Sequence, residues 1–541
     1  NLDSNFINKI ENLFKDKQFE RIKFEIDLLD DTQKRNPFFY NILGIIEATK
    51  KNYVEAKKYF NFAIDLDKYY FQSLINLSKL SYIDKDFQQI IVLLKNYYEK
   101  NQDNAKAILH LADLTFSAGF IEDTIFFHIK LIEGGKFEPK DLAALISLLN
   151  YSSKYSDEEY KKYCKRYDEI LNKNKISYNK SNINYDAAKI GFLSYDLRDH
   201  SVGYFLKDFI KNLKQKKFKP IAFSLFKSEE NSSFISDLKN SFSEWYDVSN
   251  INDKDLSDLI SSKKIYFLVD LAGYTSGNRL QVFKNKPSPV QLSWLGYCND
   301  THLEEIDYMV VDENVATEKQ RSVNKRIKKI PTIWNSLSKL DEVKINELPF
   351  FKNRKFNFGC FNNFLKISEE TIELWGEILN KFENSNLILK NSVSADKYFK
   401  NYLVNKFNKK IDENRIIILN YEESKEKHLQ QYYNIDLCLD TYPYNGVTTT
   451  FESLWMGVPV ITLKGDRFIS RCGFSINKNA KLIDFVANDK DEYVSIALQF
   501  KSENGIQKLN DIRKNLRPKI LNSSLFNTND FSDNFIDMLK N

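Results

Sequence analysis

The stretch DLCLDTYPYNGVTTTFESLWMGVPVITL, residues 436–463, decides the fold. Its first apolar run predicts a buried strand that ends at Asp440, and a loop containing Pro and Gly follows. Three threonines at 448–450 then begin a short helix that ends near Gly457, and a second apolar strand follows almost at once. A strand, a helix and a further strand in this order are typical of a parallel α/β sheet.

The same alternation extends on both sides of this stretch. From about residue 187 the β-rich runs are KIGFLSYD, KPIAFSLF, KIYFLVDLAG, VQLSWLGY and DYMVVDE. After a connector near 325–350, a second series consists of FNFGCFNN, NLILKN, RIIILNY, DLCLDT and VPVITL. Two successive doubly wound halves predict a pair of Rossmann-like lobes with a ligand cleft between them.

The first 185 residues have a different pattern. They hold only four of the 16 Gly and two of the ten Pro, and their apolar residues follow helical spacing. Four leucines recur every 34 residues, at Leu43, Leu77, Leu111 and Leu145. This period resembles the tetratricopeptide repeat, in which each unit is a pair of helices. The alternative is an irregular helical bundle in which a leucine recurs by chance.

These patterns predict three domains. Residues 1–185 form a helical tetratricopeptide-like repeat domain, 186–345 an N-terminal Rossmann-like lobe and 346–541 a C-terminal Rossmann-like lobe. The fold class is therefore an α-helical repeat array followed by a two-lobed α/β unit.

Composition excludes several functional classes. A net charge of +5 over 541 residues is too weak to indicate a nucleic-acid partner. Five cysteines without a C-x-x-C pair predict free thiols, and five histidines without metal-ligand spacing argue against a metal site. No apolar run reaches 18 residues and the first residues lack a signal-peptide pattern, so we expect a cytoplasmic protein without a membrane span.

The second α/β half carries three groups of candidate residues. Backbone N–H groups and hydroxyls at Thr448 and Thr449 would suit a diphosphate at a helix N-terminus, although either threonine could simply cap the helix. In FNNFLKIS, Asn363 offers an amide and Lys366 a charge for phosphate oxygens; a solvated surface lysine is the alternative. Lys425 and His428, three residues apart, can share one helix face, or can be ordinary surface groups.

In the first half, SYDLRDHSVGYFLKDFI places His200 in the loop between a strand and a helix. A histidine at the carboxyl end of a strand in an α/β fold faces the ligand cleft, where its imidazole can accept a proton. The alternative is that the loop only caps the helix, through Asp199 or Ser201.

Five segments together resemble the family that contains the protein O-GlcNAc transferases and the plant SPINDLY protein. In family order they are DHSVGYF with its preceding Asp196, DLAGYTSGNRL, PSPVQLSWLGY, FGCFNNFLKI and residues 425–471. The resemblance implies a GT-B glycosyltransferase that inverts the anomeric centre and needs no metal or other cofactor. It also implies that the repeats guide a polypeptide acceptor to the cleft.

Residue by residue, the resemblance assigns roles on the acceptor side and around the leaving group. His200 matches a histidine considered either a catalytic base or a sugar contact, and Gly296 lies where the family's loop faces the sugar. Lys366 matches the lysine that holds the diphosphate and stabilises the leaving group. Asn363 stands where a Gln or Asn contacts the nucleotide.

The remaining donor-binding residues come from the long C-terminal motif. Lys425 and His428 match residues around the base and the ribose, and Glu452 takes the place of an acidic ribose-binding residue. Thr448 and Thr449 match the paired threonines that receive the phosphates. Asn445 and Gly446, in the loop before them, are also expected to bind the donor.

Departures from the animal enzymes leave the donor open. Val447 replaces a histidine and Gln431 an arginine, whereas Tyr442 and Tyr444 make the loop more like SPINDLY. UDP-GlcNAc is the expected donor, with GDP-fucose or UDP-glucose as alternatives, and an inactive repeat scaffold is the alternative from another class. The expected partners are the nucleotide sugar and a protein acceptor such as flagellin; a homodimer is left open.

Overall fold

The computed structural model describes residues 4–84, 86–172, 188–227, 232–324, 326–390, 397–407 and 411–541. The chain divides into two compact units, Asn1–Phe137 and Glu138–Asn541.

The first unit is helical. In its described part the helices are α1 (Ser4–Lys15), α2 (Phe19–Asp27), α3 (Asp31–Lys34), α4 (Pro37–Thr49), α5 (Tyr53–Leu66), α6 (Phe71–Asp84), α7 (Gln88–Lys100), α8 (Ala105–Ala118) and α9 (Ile121–Glu133). From α4 onward each helix packs against the next one along the chain.

The 34-residue leucines mark the first helix of successive pairs. Leu43, Leu77 and Leu111 lie in α4, α6 and α8, and Leu145 lies in the helix that opens the second unit; all four are buried. A Cβ on Gly44 would lie 2.5 Å from the Phe60 ring, so the glycine allows α4 and α5 to approach closely. The predicted repeat array is confirmed.

The second unit begins with the helices α10 (Pro139–Leu149) and α11 (Asp157–Ile170). Seven parallel strands then form its first sheet, in the order β3-β2-β1-β4-β5-β6-β7. They are β1 (Lys189–Ser194), β2 (Lys219–Ser224), β3 (Glu244–Asp247), β4 (Phe267–Asp270), β5 (Val290–Ser293), β6 (Tyr308–Val311) and β7 (Ile327–Lys329). The helices of this lobe are α12 (Ser201–Gln215), α13 (Ser233–Ser241), α14 (Asp253–Ser262), α15 (Leu280–Lys284) and α16 (Glu318–Val323).

Six parallel strands form the second sheet, in the order β10-β9-β8-β11-β12-β13. They are β8 (Phe356–Cys360), β9 (Ser385–Lys390), β10 (Ile416–Leu419), β11 (Leu437–Leu439), β12 (Val460–Leu463) and β13 (Val486–Ala487). The helices are α17 (Pro349–Asn353), α18 (Glu369–Lys381), α19 (Lys397–Lys406), α20 (Lys425–Gln430), α21 (Thr448–Trp455), α22 (Cys472–Asn479), α23 (Lys490–Leu498), α24 (Glu503–Leu521) and α25 (Thr528–Lys540).

Strand order reverses between β8 and β11 in the second sheet. Helices that leave neighbouring strands to opposite faces open a crevice at the carboxyl ends of those strands, and ligands of doubly wound sheets bind there. The chain segments after β8 and β11 are FNNFLK and DTYPYNGV, which contain most of the predicted donor residues.

The last helix crosses back to the first lobe. Phe535 of α25 packs against Phe209 of α12 and Trp294, with both ring centroids 5.0 Å away. These aromatic rings belong to the core of the first sheet, so the carboxyl end of the chain ties the two lobes together. The predicted fold class, helical repeats followed by two Rossmann-like lobes, is confirmed.

Three further features follow from the described residues. None of their helices is both long and apolar enough to cross a bilayer. All five cysteines lie among them, buried and with free thiols. The predicted domain boundaries after residues 185 and 345 stay predictions.

Candidate functional site

The buried carboxylate of Asp440 organises the loop after β11. One of its oxygens accepts hydrogen bonds from the backbone N–H of Thr441, at 2.9 Å, and of Gly446, at 2.7 Å. The other accepts from the Thr462 hydroxyl at 2.8 Å. Burial raises the pKa of Asp440 to about 6, although these hydrogen bonds and nearby Lys366 lower it. The loop is therefore folded back on its own strand end, which places Gly446 at the start of α21.

Position 446 has no room for a side chain, so it must be glycine. A Cβ at this position would lie 2.5 Å from the Asn362 side-chain oxygen and 2.6 Å from the Thr449 hydroxyl. These two groups are hydrogen-bonded to each other, with the hydroxyl donating to the amide oxygen. Asn362 also donates to Asp440 at 3.1 Å and to the Thr441 hydroxyl at 2.8 Å, so it joins the ends of β8 and β11.

The N-terminus of α21 has no side-chain cap. Its N-cap residue is Val447, and the helix begins at Thr448, so the alternative in which Thr448 or Thr449 caps the helix is wrong. Within the described chain, the backbone N–H groups of Thr448 and Thr449 donate no hydrogen bond. Free N–H groups and the positive end of the helix dipole suit an anion.

Lys366 lies next to this helix start. Its ammonium donates to the backbone oxygen of Asn445 at 3.1 Å and lies 4.0 Å from the centroid of the Tyr444 ring. Burial lowers the pKa of Lys366, while Asp440 raises it. The alternative of a solvated surface lysine is wrong, because the side chain is held by the loop that precedes α21. The loop that holds this cation thus leads directly into the helix whose first N–H groups are free.

A second group of polar side chains lies beyond α21. The Nε2 atom of His428 is 3.0 Å from a carboxylate oxygen of Glu452, and the Nδ1 atom contacts the ammonium of Lys390. The Tyr432 hydroxyl donates to the backbone oxygen of Thr449 at 3.2 Å. His428 on α20 and Glu452 on α21, which the resemblance assigns to the base and the ribose of the donor, are therefore in contact.

The first lobe contributes His200, which is itself the N-cap of α12. Its Nδ1 atom accepts the Val202 N–H at 3.3 Å and lies 3.6 Å from an Asp196 oxygen. Burial lowers the pKa of His200, Asp196 raises it and Arg198 lowers it. The predicted alternative, capping by Asp199 or Ser201, is replaced by capping through the histidine ring. His200 can cap the helix and still meet a ligand, because 38% of its side chain is exposed.

Gly296 is fixed by a close backbone contact. A side chain there would overlap the carbonyl oxygen of Leu271, and it would lie 3.4 Å from the Val202 side chain. Val202 is also the residue whose N–H binds His200. Gly296 and His200 are therefore close to one residue of α12, at the carboxyl ends of β5 and β1.

Lys425 lies between the two lobes. Its ammonium is 3.3 Å from a carboxylate oxygen of Asp199 and 4.1 Å from the centroid of the Tyr204 ring. Both partners belong to the first lobe, and Asp199 precedes His200. Lys425 therefore does not contact His428 in this arrangement but connects α20 to the first lobe.

Asn363 is exposed, and its side-chain oxygen accepts the N–H of Leu365 at 3.0 Å. It caps the short 3-10 turn Phe364–Lys366. The neighbouring Asn362, which the sequence reasoning did not select, is the amide buried at the crevice.

A profile for glycosyl transferase family 41 matches residues 146–330 and 351–535, more than half of the chain. The chain belongs to glycosyl transferase family 41. The resemblance read from the sequence is thereby confirmed, and the two matched segments contain the strands of the first and of the second sheet.

Family 41 relatives include plant proteins called probable UDP-N-acetylglucosamine–peptide N-acetylglucosaminyltransferase SPINDLY. The Petunia hybrida protein is 31% identical over 357 residues, which cover 64% of this chain and 37% of the relative. The Arabidopsis thaliana protein is 30% identical over 349 residues, covering 63% and 38%. The chain therefore spans well under half of the length of these curated relatives.

The solved structures include a mutant O-GlcNAc transferase from Thermobaculum terrenum with a TM-score of 0.76. It is 22% identical, and the match covers 94% of this chain and 98% of that one. At this identity the likeness concerns the fold, namely helical repeats with two α/β lobes.

The family 41 crevice also contains residues that sequence reasoning missed. Asn362, Lys390 and Tyr444 all contact a predicted site residue. Asn362 could have been found, because two consecutive amides directly after a buried strand are unusual for a surface turn. Lys390 gave no signal, since a lysine at the end of an apolar strand is the usual pattern for a solvent-facing end.

Proposed function

We propose that this family 41 protein transfers a sugar from a nucleoside diphosphate donor to Ser or Thr hydroxyls of proteins. The observation that carries the proposal is that the Lys366 ammonium binds the backbone oxygen of Asn445, in the loop that leads to the uncapped N-terminus of α21. We propose that the ammonium and the free N–H groups at the start of α21 together bind the diphosphate of the donor. The printed names of the plant relatives make UDP-GlcNAc the first donor to test.

The proposed chemistry is displacement at the anomeric carbon. The acceptor oxygen forms a bond to that carbon while the bond to the phosphate oxygen breaks. The diphosphate leaves with the electron pair, and the hydroxyl proton of the acceptor passes to a phosphate oxygen of the departing diphosphate or to water. Negative charge grows on the departing phosphate throughout the step. We propose that Lys366 and the N–H groups of Thr448 and Thr449 receive this charge, because preorganised charge lowers barriers effectively. We propose that this positive charge replaces a metal ion.

In the proposed reaction the acceptor attacks from the face opposite the diphosphate, so the anomeric centre is inverted. His200 lies at the carboxyl end of β1, in the first lobe. Because its Nδ1 accepts the Val202 N–H, a neutral ring carries its proton on Nε2. The ring can then donate a hydrogen bond from its exposed side, and we expect it to orient the sugar or the acceptor rather than to remove the acceptor's proton.

Donor identity depends on the residues around the start of α21. Val447 is the N-cap residue of that helix, and the ring of Tyr444 contacts Lys366. GDP-fucose and UDP-glucose are therefore the alternative donors. An inactive scaffold remains the alternative from another class, and a Lys366 held in the loop before the uncapped α21 favours an active enzyme.

The acceptor side of the proposal rests on the repeats. We propose that the helical unit Asn1–Phe137 selects a polypeptide acceptor, of which flagellin or another abundant surface protein is one example. We also propose a cytoplasmic location.

A ligand panel tests the donor site. UDP-GlcNAc, UDP-glucose, GDP-fucose, UDP and GDP are added to the purified protein, and the melting temperature is recorded with each. A ligand at about 100 times its dissociation constant stabilises the folded state by about 2.7 kcal/mol, which is readily measured. One nucleotide series should raise the melting temperature of the wild type and should do so less in Lys366→Met. The absence of a shift with every compound would contradict the proposal.

A further inference from the structure

Lys390 is a buried cation that none of the roles above uses. It is the last residue of β9, only 7% of its surface is exposed, and its ammonium contacts Nδ1 of His428. We propose that Lys390 is a positioning residue for the donor, which orients His428 and fixes its proton so that Glu452 can bind the ribose hydroxyls. This inference rests on the proposed function.

The direction of the proton follows from the donor chemistry. A lysine ammonium can only donate, so Nδ1 of His428 must accept. The neutral ring then carries its hydrogen on Nε2, where Glu452 is 3.0 Å away and accepts. The three side chains are linked by two hydrogen bonds: Lys390 donates to His428, and His428 donates to Glu452. A second ring orientation or tautomer would break one of these two hydrogen bonds.

These hydrogen bonds leave one carboxylate oxygen of Glu452 available to a ligand. His428 and Tyr432 both approach the same oxygen, Oε2, at 3.0 Å and 3.4 Å. The other oxygen, Oε1, has no hydrogen-bond partner within the described residues. This carboxylate oxygen, held beside the imidazole of His428, can accept a hydrogen bond from a ribose hydroxyl, because each hydroxyl carries one hydrogen that it can donate.

A purely structural role would be expensive for this lysine. In the described chain Lys390 forms no ion pair, although burying an ammonium costs free energy unless a carboxylate compensates it. Burial lowers the pKa of Lys390 to about 8, while Glu452 and Glu422 raise it. The rings of Phe361 and Tyr421 lie 5.7 Å and 5.6 Å from the ammonium and compensate only weakly. A costly buried cation beside a binding residue is typical of a functional site.

The test uses the full chain and isothermal titration calorimetry with UDP and with GDP. Lys390→Met removes the ammonium at nearly constant volume, and Lys390→Arg restores a charged donor. Lys464→Met is the matched control, because Lys464 follows β12 at the same sheet edge and donates to Asn488 instead. Melting temperatures are measured for all variants.

We expect Lys390→Met to weaken binding of the preferred nucleotide by about tenfold to hundredfold, the usual range for a hydrogen bond to a charged group. Lys390→Arg should recover most of the affinity, and Lys464→Met should equal the wild type. In transfer assays the donor KM should rise while kcat changes little. Should Lys390→Met not fold, Lys390→Gln replaces it with the same expectation.

Rescue by Lys390→Arg separates positioning from packing. A packing role would need only the volume of the side chain, which Lys390→Met nearly keeps, whereas a positioning role needs a charged donor facing Nδ1 of His428. Wild-type affinity for both nucleotides in Lys390→Met would overturn the inference alone. Failure of the wild type to bind either nucleotide would overturn the proposed function and this inference together.

Discussion

Replacing Lys366 by Met should remove most of the catalytic power and little of the stability. Met keeps the length of the side chain but removes the ammonium that donates to Asn445 and lies over the Tyr444 ring. A unit charge about 4 Å from a departing phosphate contributes about 4 kcal/mol at an effective dielectric constant of 20. Loss of a single preorganised donor costs about 2.7–4 kcal/mol in other enzymes. We therefore expect kcat to fall by about 10²- to 10³-fold.

The effect on folding should be small because two contributions oppose each other. The variant loses one hydrogen bond and a cation–π contact, which contribute about 1 kcal/mol each. It also no longer has to bury a charge, a cost that is evident in the lowered pKa of Lys366. The melting temperature should therefore change by only a few degrees.

The assay is steady-state release of nucleoside diphosphate at saturating donor, with an acceptor present and with Lys464→Met as control. The control keeps every group at the crevice and should retain wild-type turnover. A Lys366→Met enzyme with kcat within about threefold of the wild type would refute the assignment of Lys366 to the leaving group. A loss of activity accompanied by loss of the cooperative melting transition would show instead that Lys366 acts through folding.

Four other outcomes are expected. Gly446→Ala should lower the free energy of unfolding by about 1–3 kcal/mol in urea titrations and weaken nucleotide binding, because the added Cβ collides with Asn362 and Thr449; an unchanged midpoint would contradict this crowding. Burial raises the pKa of Asp270 to about 6, so its contribution to stability is full below about pH 4 and is lost as the pH rises through 6. The free energy of unfolding of Asp270→Asn should therefore increase relative to that of the wild type over this range. A difference between the two proteins that does not change with pH would be contrary evidence. Deleting residues 1–137 should reduce transfer to protein acceptors far more than nucleotide binding by calorimetry, and equal losses would count against acceptor selection by the repeats. Transfer should persist in excess EDTA, whereas restoration of lost activity by Mg²⁺ would reveal a metal requirement.

Local patterns predicted the fold well because they reflect local physics. The leucines at 34-residue spacing identify the first helices of the pairs, since each must bury one apolar face. The segment 436–463 likewise predicts a strand, a helix and a strand, and β11, α21 and β12 follow in that order. Both patterns depend on neighbours in the sequence.

Contacts between distant segments could not be predicted in the same way. Lys390 and His428 are 38 residues apart, and only the pairing of β9 within the second sheet brings them together. Lys425 and His428 lie on one helix, α20, as their spacing allows, but the contact of Lys425 with Asp199 across the lobes left no pattern in the sequence. Asp199 or Ser201 was the expected cap of α12, but His200 is the cap. Which of these residues caps the helix depends on the backbone conformation at His200, which is extended.

Sugar transfer from defined donors tests the proposed function most directly. The wild type and Lys366→Met are incubated in parallel with UDP-GlcNAc, UDP-glucose or GDP-fucose and a mixture of Ser/Thr-containing protein acceptors, and intact-protein mass spectrometry records the mass added. We predict that one donor adds whole sugar units to Ser or Thr in the wild-type reaction and that Lys366→Met abolishes the addition. Equal addition by both enzymes, or none from a wild type that binds the donor, would contradict a transferase whose diphosphate site is Lys366 and the N-terminus of α21.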